Sequence, residues 1–281
     1  MYKLVKLVII LALYWSIVSC NGESDNVYDN SSNEINLSVE TTWYWQLLVD
    51  DSHPLRTDIP AILYDIDLFD ISAETIRFLK SNGKIIICYF SAGSYEEWRP
   101  DAQKFPPESI GKPLDNWEGE RWLDIRNETV KQIMIDRLKL AKQKGCDGVE
   151  PDNVDGYIND TGFNITYEDQ LIYNKFLAKE AHKLGLLIGL KNDLEQINEL
   201  VDYFDFAINE QCFEFNECHK LLPFIYQGKP IFNAEYKDVY VYDENTFKDL
   251  CSEAKQLNIR TIVLPLNLDG SFVKSCDYGE Y

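Results

Sequence analysis

The stretch Gly145-Cys146-Asp147-Gly148-Val149-Glu150-Pro151-Asp152-Asn153-Val154-Asp155-Gly156-Tyr157 concentrates groups that can do chemistry. From Glu150 to Tyr157 it sets three carboxylates, an amide and a phenol within eight residues, directly after the apolar strand signal Asp147 to Val149. Burying unpaired carboxylates costs several kcal/mol each, so a sheet interior is a poor place for them. Pro151 lacks the N–H that a ladder needs, and the strand is expected to end there. The cluster therefore belongs at the carboxyl end of a strand, where α/β barrels assemble their active sites.

Comparable groups follow the other strand signals: Gln46, Asp65 and Asp67, Ser91 with Gly93 and Ser94, Lys191 with Asn192 and Asp193, Asn209 with Glu210 and Gln211, Glu235 with Tyr236, and Asn267 with Asp269. Asp193 and Asp269 are expected to be helix caps or solvated loop residues. The aromatic residues Trp43, Trp45, Tyr64, Tyr89, Tyr157 and Tyr236 accompany them. No Gly-x-Ser-x-Gly turn, His-Glu-x-x-His pair or phosphate loop is present. Carboxylates, amides and aromatic faces suit a sugar ring, and glycosidic cleavage needs only two carboxyl groups flanking the bond. Asp152 and Glu210 are expected to be that pair, with Glu210 raised in pKa to act as an acid. Glu150 reads as a neighbour that tunes other pKa values, and Asp155 as a cap or a sugar-hydroxyl acceptor.

These residues need a scaffold that brings strand ends together. Strand signals occur at 43–47, 61–66, 84–90, 148–150, 186–190, 204–209, 230–234 and 261–264. Helical patterns separate them, clearest at 73–81, 128–144, 167–184 and 244–257, and Val130, Ile133, Met134, Arg137, Leu138 and Ala141 repeat at helical spacing. Thr166 with Asp169 resembles an N-cap pair. Eight strands with intervening helices in this length predict a single (β/α)8 barrel over residues 41–281. An open doubly wound sheet is less suited, because no Gly-rich turn follows the first strand.

The formal net charge of −20, from 47 acidic and 27 basic residues, excludes nucleic acid as a natural partner. It suits a cationic substrate or a soluble exported protein. Residues 1–20 read as an export signal, with Lys3 and Lys6 before an apolar run that is short for a membrane span. Ile17-Val18-Ser19-Cys20 also resembles a lipoprotein box, which would leave Cys20 acylated and the protein on a membrane surface. Residues 21–40 form a flexible polar tether. Asn30, Asn36, Asn127, Asn159 and Asn164 head Asn-x-Ser/Thr triplets. Six cysteines remain after Cys20, which favours disulfides in an exported chain. Cys212 with Cys218 and Cys251 with Cys276 are the expected pairs; Cys88 and Cys146 are read as buried thiols or a third pair. No metal-ligand spacing is present, and a monomer is expected.

The chain resembles glycoside hydrolase family 114, the endo-α-1,4-polygalactosaminidases. The resemblance is carried by Trp43-Tyr44-Trp45-Gln46-Leu47, Tyr64-Asp65-Ile66-Asp67, Cys88 to Ser94 with Trp98-Arg99-Pro100-Asp101, Arg121 to Arg126, Gly145 to Tyr157, Gly189 to Asp193, Asn209-Glu210-Gln211-Cys212 and Ala234-Glu235-Tyr236. It implies a (β/α)8 barrel that cuts α-1,4-linked galactosamine polymers internally, without a cofactor. In related barrels acting on α-galactosidic bonds the nucleophile follows strand four and the acid/base follows strand six; carried over, these are Asp152 and Glu210. The expected substrate contacts are Trp45, Asp65, Tyr89, Ser91, Asp124, Glu150, Asn153, Asp155, Tyr157, Lys191, Asn192, Gln211, Glu235 and Tyr236. The acids among them would meet substrate ammonium groups. A barrel that binds amino-sugar polymer without cutting it, or cuts another α-linked sugar, is the alternative.

Overall fold

The computed structural model describes residue 35 and residues 37–281. The expected export segment with Cys20, most of the tether, and Asn30 and Asn36 lie outside the described residues. Eight parallel strands run in chain order: β1 (Trp43–Gln46), β2 (Leu63–Asp67), β3 (Ile85–Ser91), β4 (Gly148–Asp152), β5 (Leu187–Lys191), β6 (Phe206–Glu210), β7 (Ile231–Glu235) and β8 (Ile259–Val263). They curl into a (β/α)8 barrel. At the seam, Trp43 Nε1 donates to the Arg260 carbonyl at 2.9 Å. Beyond β8 the sheet continues into an antiparallel hairpin, Lys274–Ser275 with Gly279–Glu280, and Tyr278 OH donates to the Trp43 carbonyl at 2.8 Å. The C-terminal tail thus bolts the first strand to the last.

The helices are α1 (Ala73–Ser81), α2 (Glu128–Lys144), α3 (Tyr167–Lys183), α4 (Ile197–Leu200), α5 (Leu222–Tyr226), α6 (Asp238–Tyr242) and α7 (Glu244–Leu257). Their boundaries follow local chemistry. Asn127 accepts from the Thr129 and Val130 N–H groups at the start of α2, and Gly145, at φ 95°, ends it. Thr166 and Asp169 form a reciprocal capping box on α3. The buried face of α2 is the run Val130, Ile133, Met134, Arg137, Leu138 and Ala141 that the spacing predicts.

The strands differ from expectation in one consistent way: β2, β3, β4, β5, β6 and β7 each end on a polar residue expected beyond them. Pro151 does not stop β4. The β4–β5 ladder covers only Gly148 and Val149, so no donor is required on that side at Pro151, and the β3 side pairs through to Asp152. Inside the barrel, Phe206 and Phe232 lie 5.7 Å apart and Trp43 and Phe232 5.4 Å apart, ring centre to ring centre. Gly189 is required here, because a Cβ would sit 2.3 Å from the Phe206 ring.

All six paired cysteines are accounted for. Cys212–Cys218 and Cys251–Cys276 form as expected, and Cys88–Cys146, for which the sequence leaves buried thiols or a third pair open, also pair. The last bond ties β3 to the approach of β4, the two strands that carry the densest chemistry. No described helix is long and apolar enough to cross a membrane.

Candidate active site

Alternation along the strands sends residues i and i+2 to one face, so Asp65 and Asp67, Glu150 and Asp152, and Gly189 and Lys191 share faces. At the mouth the chain turns abruptly. Asn153, Asn192 and Gln211, which follow β4, β5 and β6, all adopt positive φ, at 59°, 50° and 62°. Such conformations are uncommon for residues other than glycine, with Asn the more tolerant and Gln211 the more strained, and they recur at functional sites. Each turn leaves Asp152, Lys191 or Glu210 as the last residue of its strand.

Lys191 links the two expected catalytic acids. Its Nζ lies 3.0 Å from Asp152 Oδ1 and 3.0 Å from Glu210 Oε2, with Glu150 Oε1 at 3.7 Å. The Trp45 ring backs it, its centre 5.0 Å from Nζ. Burial disfavours the ammonium, but Asp152, Glu210 and Glu150 outweigh it and hold the Lys191 pKa well above the ordinary range. Asp152 also accepts from Tyr89 OH at 3.1 Å and from the Asn153 N–H at 2.7 Å. Glu210 accepts from Tyr236 OH at 2.5 Å and Asn192 Nδ2 at 3.2 Å. Burial would raise the Glu210 pKa, yet Lys191, Tyr236 and Asn192 together pull it below the ordinary value. The expected upward shift is thus absent in the substrate-free site, because three donors converge on the carboxylate.

The loop after β3 locks onto this constellation. Ala92 and Gly93 donate their N–H groups to the Asp152 carbonyl at 2.9 and 3.0 Å. Gly93 has to be glycine, since a Cβ would sit 1.7 Å from the Asn153 carbonyl oxygen. Asn153 Nδ2 donates to Ser91 Oγ at 2.9 Å, Ser91 and Ser94 hydroxyls lie 2.6 Å apart, and Ser94 Oγ donates to Glu120 Oε2 at 2.8 Å. Ser91 is fully buried, so it holds Asn153 rather than reaching the open cleft.

The cleft above measures about 970 Å³, and its lining includes Trp45, Tyr89, Asp152, Asn153, Asp155, Lys191, Asn192, Glu210 and Gln211 from the expected set. Nine carboxylates and three cations line it. Burial lifts the pKa of Asp155 to about 6 and of Glu120 to about 7, with Asp152 adding to the first and opposing Ser94 in the second.

Several expected contacts stand elsewhere. Asp65 and Glu150 are fully buried beneath the cleft. Asp124 pairs with Arg126 at 2.8 Å outside it. Tyr157 packs edge-on to Tyr167, with ring centres 5.4 Å apart. Glu235 is buried and accepts from Asn233 Nδ2 and the Phe213 N–H at 3.0 and 2.9 Å, so it anchors the loop after β6. Tyr236 acts on Glu210. Asp193 is neither a solvated residue nor a side-chain cap: it is buried and accepts from Asn174 Nδ2 at 2.8 Å.

The expected sugar-stacking aromatics are displaced as well. Trp43 and Tyr64 are buried away from the cleft, and Trp45, though at the cleft lining, is 1% exposed and backs Lys191. The open indoles at the cleft are Trp98 and Trp117, 53% and 52% exposed. They and Trp122 sit on an excursion between β3 and α2 built on a three-stranded antiparallel sheet, Ser94–Glu96, Ile110–Pro113 and Glu120–Leu123. Half of the six tryptophans lie between residues 98 and 122, a concentration visible in the sequence.

Comparison with known proteins places the fold. The crystal structure of Aspergillus fumigatus Ega3 in complex with galactosamine matches with a TM-score of 0.79 and 40% identity, covering 85% of this chain and 96% of that one. The glycoside hydrolase domain of PelA from Pseudomonas aeruginosa shares the fold at a TM-score of 0.65 and 15% identity, covering 82% of this chain and 97% of that one. The uncharacterized protein MJ1477 of Methanocaldococcus jannaschii is 29% identical over 150 residues, 48% of this chain. The match spans 43% of that relative's own length. The family model for glycoside-hydrolase family GH114 matches residues 24–280, and the chain belongs to that family.

Proposed function

We propose that the protein is an exported endo-glycosidase that cuts α-1,4-linked galactosamine-containing polysaccharide by a retaining mechanism, with Asp152 as nucleophile and Glu210 as acid and base. One observation carries the reading. Because Asp152 Oδ1 and Glu210 Oε2 each lie 3.0 Å from the same nitrogen, they are at most about 6 Å apart. Retaining pairs stand roughly 5–5.5 Å apart and inverting pairs roughly 6.5–9.5 Å, so the limit favours retention.

In the first half-reaction Asp152 attacks the anomeric carbon while protonated Glu210 gives its proton to the departing glycosidic oxygen. In the second, Glu210 takes a proton from water as that water displaces Asp152. The low pKa of Glu210 suits the second role. Once Asp152 is esterified its charge is gone, and Lys191 is left to Glu210 above and Glu150 below. Tyr89 and the Asn153 N–H keep the Asp152 carboxylate aimed.

The acidic lining suits a polycation, and a relative at 40% identity was crystallised with galactosamine. The cleft volume lies near the top of the ~300–1,000 Å³ range of ligand pockets, room for more than one sugar ring as internal cleavage needs. Three disulfides suit an oxidising, extracytoplasmic location, reached through the N-terminal signal and with or without a lipid on Cys20.

The test is incubation of the chain from residue 21 onward with partly deacetylated α-1,4-linked galactosamine polymer, reading released oligomers by mass spectrometry. A ladder of galactosamine-containing fragments is expected from the wild type and none from Asp152→Asn. Polymer binding without any fragments from the wild type would leave a binding barrel in place of a hydrolase.

A further inference from the structure

The two-carboxylate mechanism leaves Asp65 on β2 and Glu150 on β4 without a role. Both are fully buried, and none of their four oxygens receives a donor among the described residues, while the two carboxyl groups lie within hydrogen-bonding reach of each other. The barrel closes over them: Trp45 of β1 stands in register with Asp65, and Tyr89 of β3 with Glu150. The charged groups that face the pair are Lys191 from β5, Asp152 at the end of β4 and Asp67 at the end of β2. Two ionised carboxylates without donors in such a place would each cost several kcal/mol. One proton removes most of that cost, because a protonated carboxyl becomes a donor to its neighbour. Burial pushes both groups above the ordinary carboxylate range, and Asp65 pushes Glu150 further.

Lys191 spans the gap between this pair and the acid above it, with Nζ 3.7 Å from Glu150 Oε1 and 3.0 Å from Glu210 Oε2. We propose that Asp65 and Glu150 hold one proton between them beneath the active site, and that Lys191 connects this store to Glu210. Glu150 passes its proton to Lys191 Nζ as Lys191 passes one of its own to Glu210 Oε2. Lys191 stays an ammonium, the buried pair is left as two carboxylates, and Glu210 becomes the carboxylic acid that the first half-reaction requires. A sugar covering Glu210 strips its water and strengthens its pull on the proton. When water later reprotonates Glu210, the same route refills the store, so the cycle consumes no external acid. The store resolves a conflict in the site: Glu210 is held ionised when empty, yet has to be an acid when substrate arrives.

The relay deepens the reading of Asp152 and Glu210 as the reacting pair and rests on it; the store itself is detected without substrate. Infrared spectra of the whole protein at pH 6 carry the C=O stretch of every protonated carboxyl. The difference between wild type and Asp65→Asn, and between wild type and Glu150→Gln, is expected to show the loss of one protonated-carboxyl band. Other buried acids such as Asp193 cancel in the subtraction. Thermal melting reports that each variant is folded, and either variant suffices if the other is not. The Asp65→Asn enzyme is further expected to lose activity at lower pH than the wild type on the alkaline side, with KM little changed. No loss of a protonated-carboxyl band in a folded variant would overturn the store, and an unmoved pH profile would overturn the relay. A lost band in a protein that cuts no galactosamine polymer would leave the store standing and remove only the substrate assignment.

Discussion

The phenol of Tyr236 donates to Glu210 Oε1 at 2.5 Å, from a residue one position beyond β7 to the last residue of β6. The contact joins two neighbouring strand ends and sets the charge state of the acid. A donor to a carboxylate stabilises its ionised form, so removing the phenol raises the Glu210 pKa. Glu210 serves the first half-reaction when protonated, and activity falls as pH rises through its pKa. Tyr236→Phe is therefore expected to move the alkaline limb of kcat/KM to higher pH. Hydrogen bonds to charged groups contribute about 1.5–3 kcal/mol, which corresponds to about one to two pH units. A limb that stays in place or moves to lower pH contradicts the assignment of Glu210 as the acid.

Gly93→Ala tests how the nucleophile is positioned. The new Cβ would collide with the Asn153 carbonyl oxygen at 1.7 Å, which is backbone and cannot swing aside. The loop has to retreat and the two N–H bonds to the Asp152 carbonyl are lost. A displacement of about 1 Å at a reacting group can cost about 100-fold in rate. Steady-state kinetics should show that loss mainly in kcat, with the protein still folded.

Asp193 makes a prediction about stability. Burial, with Asp155 adding, raises its pKa from 3.8 to about 8, so the native state binds a proton that the unfolded chain has released between those values. Stability contributed by that proton is present at low pH and drains away as pH rises toward 8. Asn cannot ionise, can still accept from Asn174 Nδ2, and tolerates the positive φ of 45°. Asp193→Asn is expected to raise the Tm at pH 8 more than at pH 5, which melting curves at the two values will read. Equal shifts at both would remove the ionisation argument.

Much of this architecture was legible in the chain. The boundaries of α1, α2 and α7 match the pattern, because caps such as Asn127 and Gly145 are local signals. Asp152, Lys191 and Glu210 meet because each closes a strand, and strand order follows from the alternation of elements. What was not legible depended on packing. Pro151 stays in β4 only because the β5 ladder stops short of it, a fact that no window around residue 151 contains. Asp65 and Glu235 read like Asp155 in sequence, yet they lie within their strands and are buried while Asp155, in the loop beyond β4, reaches the cleft. The antiparallel excursion that carries Trp98 and Trp117 lacks strong periodicity, and its strands of three or four residues form only against one another.

Those two tryptophans should act on binding more than on chemistry. Both line the cleft and are about half exposed, and neither is among the hydrogen-bond, ion-pair or ring contacts of Asp152, Lys191 and Glu210. Aromatic contacts of this kind contribute about 0.5–1.5 kcal/mol beyond buried area, which is roughly a 2- to 12-fold change in affinity. Trp98→Ala and Trp117→Ala are expected to raise KM for long polymer by about that factor and to leave kcat near its wild-type value. A fall in kcat with KM unchanged would place them in the reacting geometry instead.

The most direct test of the account is the anomeric form of the first product, followed by proton NMR from the moment enzyme meets an α-1,4-linked galactosamine oligomer. With Asp152 Oδ1 and Glu210 Oε2 no more than about 6 Å apart across Lys191, the account predicts that the newly formed reducing end appears first as the α-anomer and only later equilibrates. A β-anomer appearing first would mean single displacement by water and would contradict the nucleophilic role of Asp152.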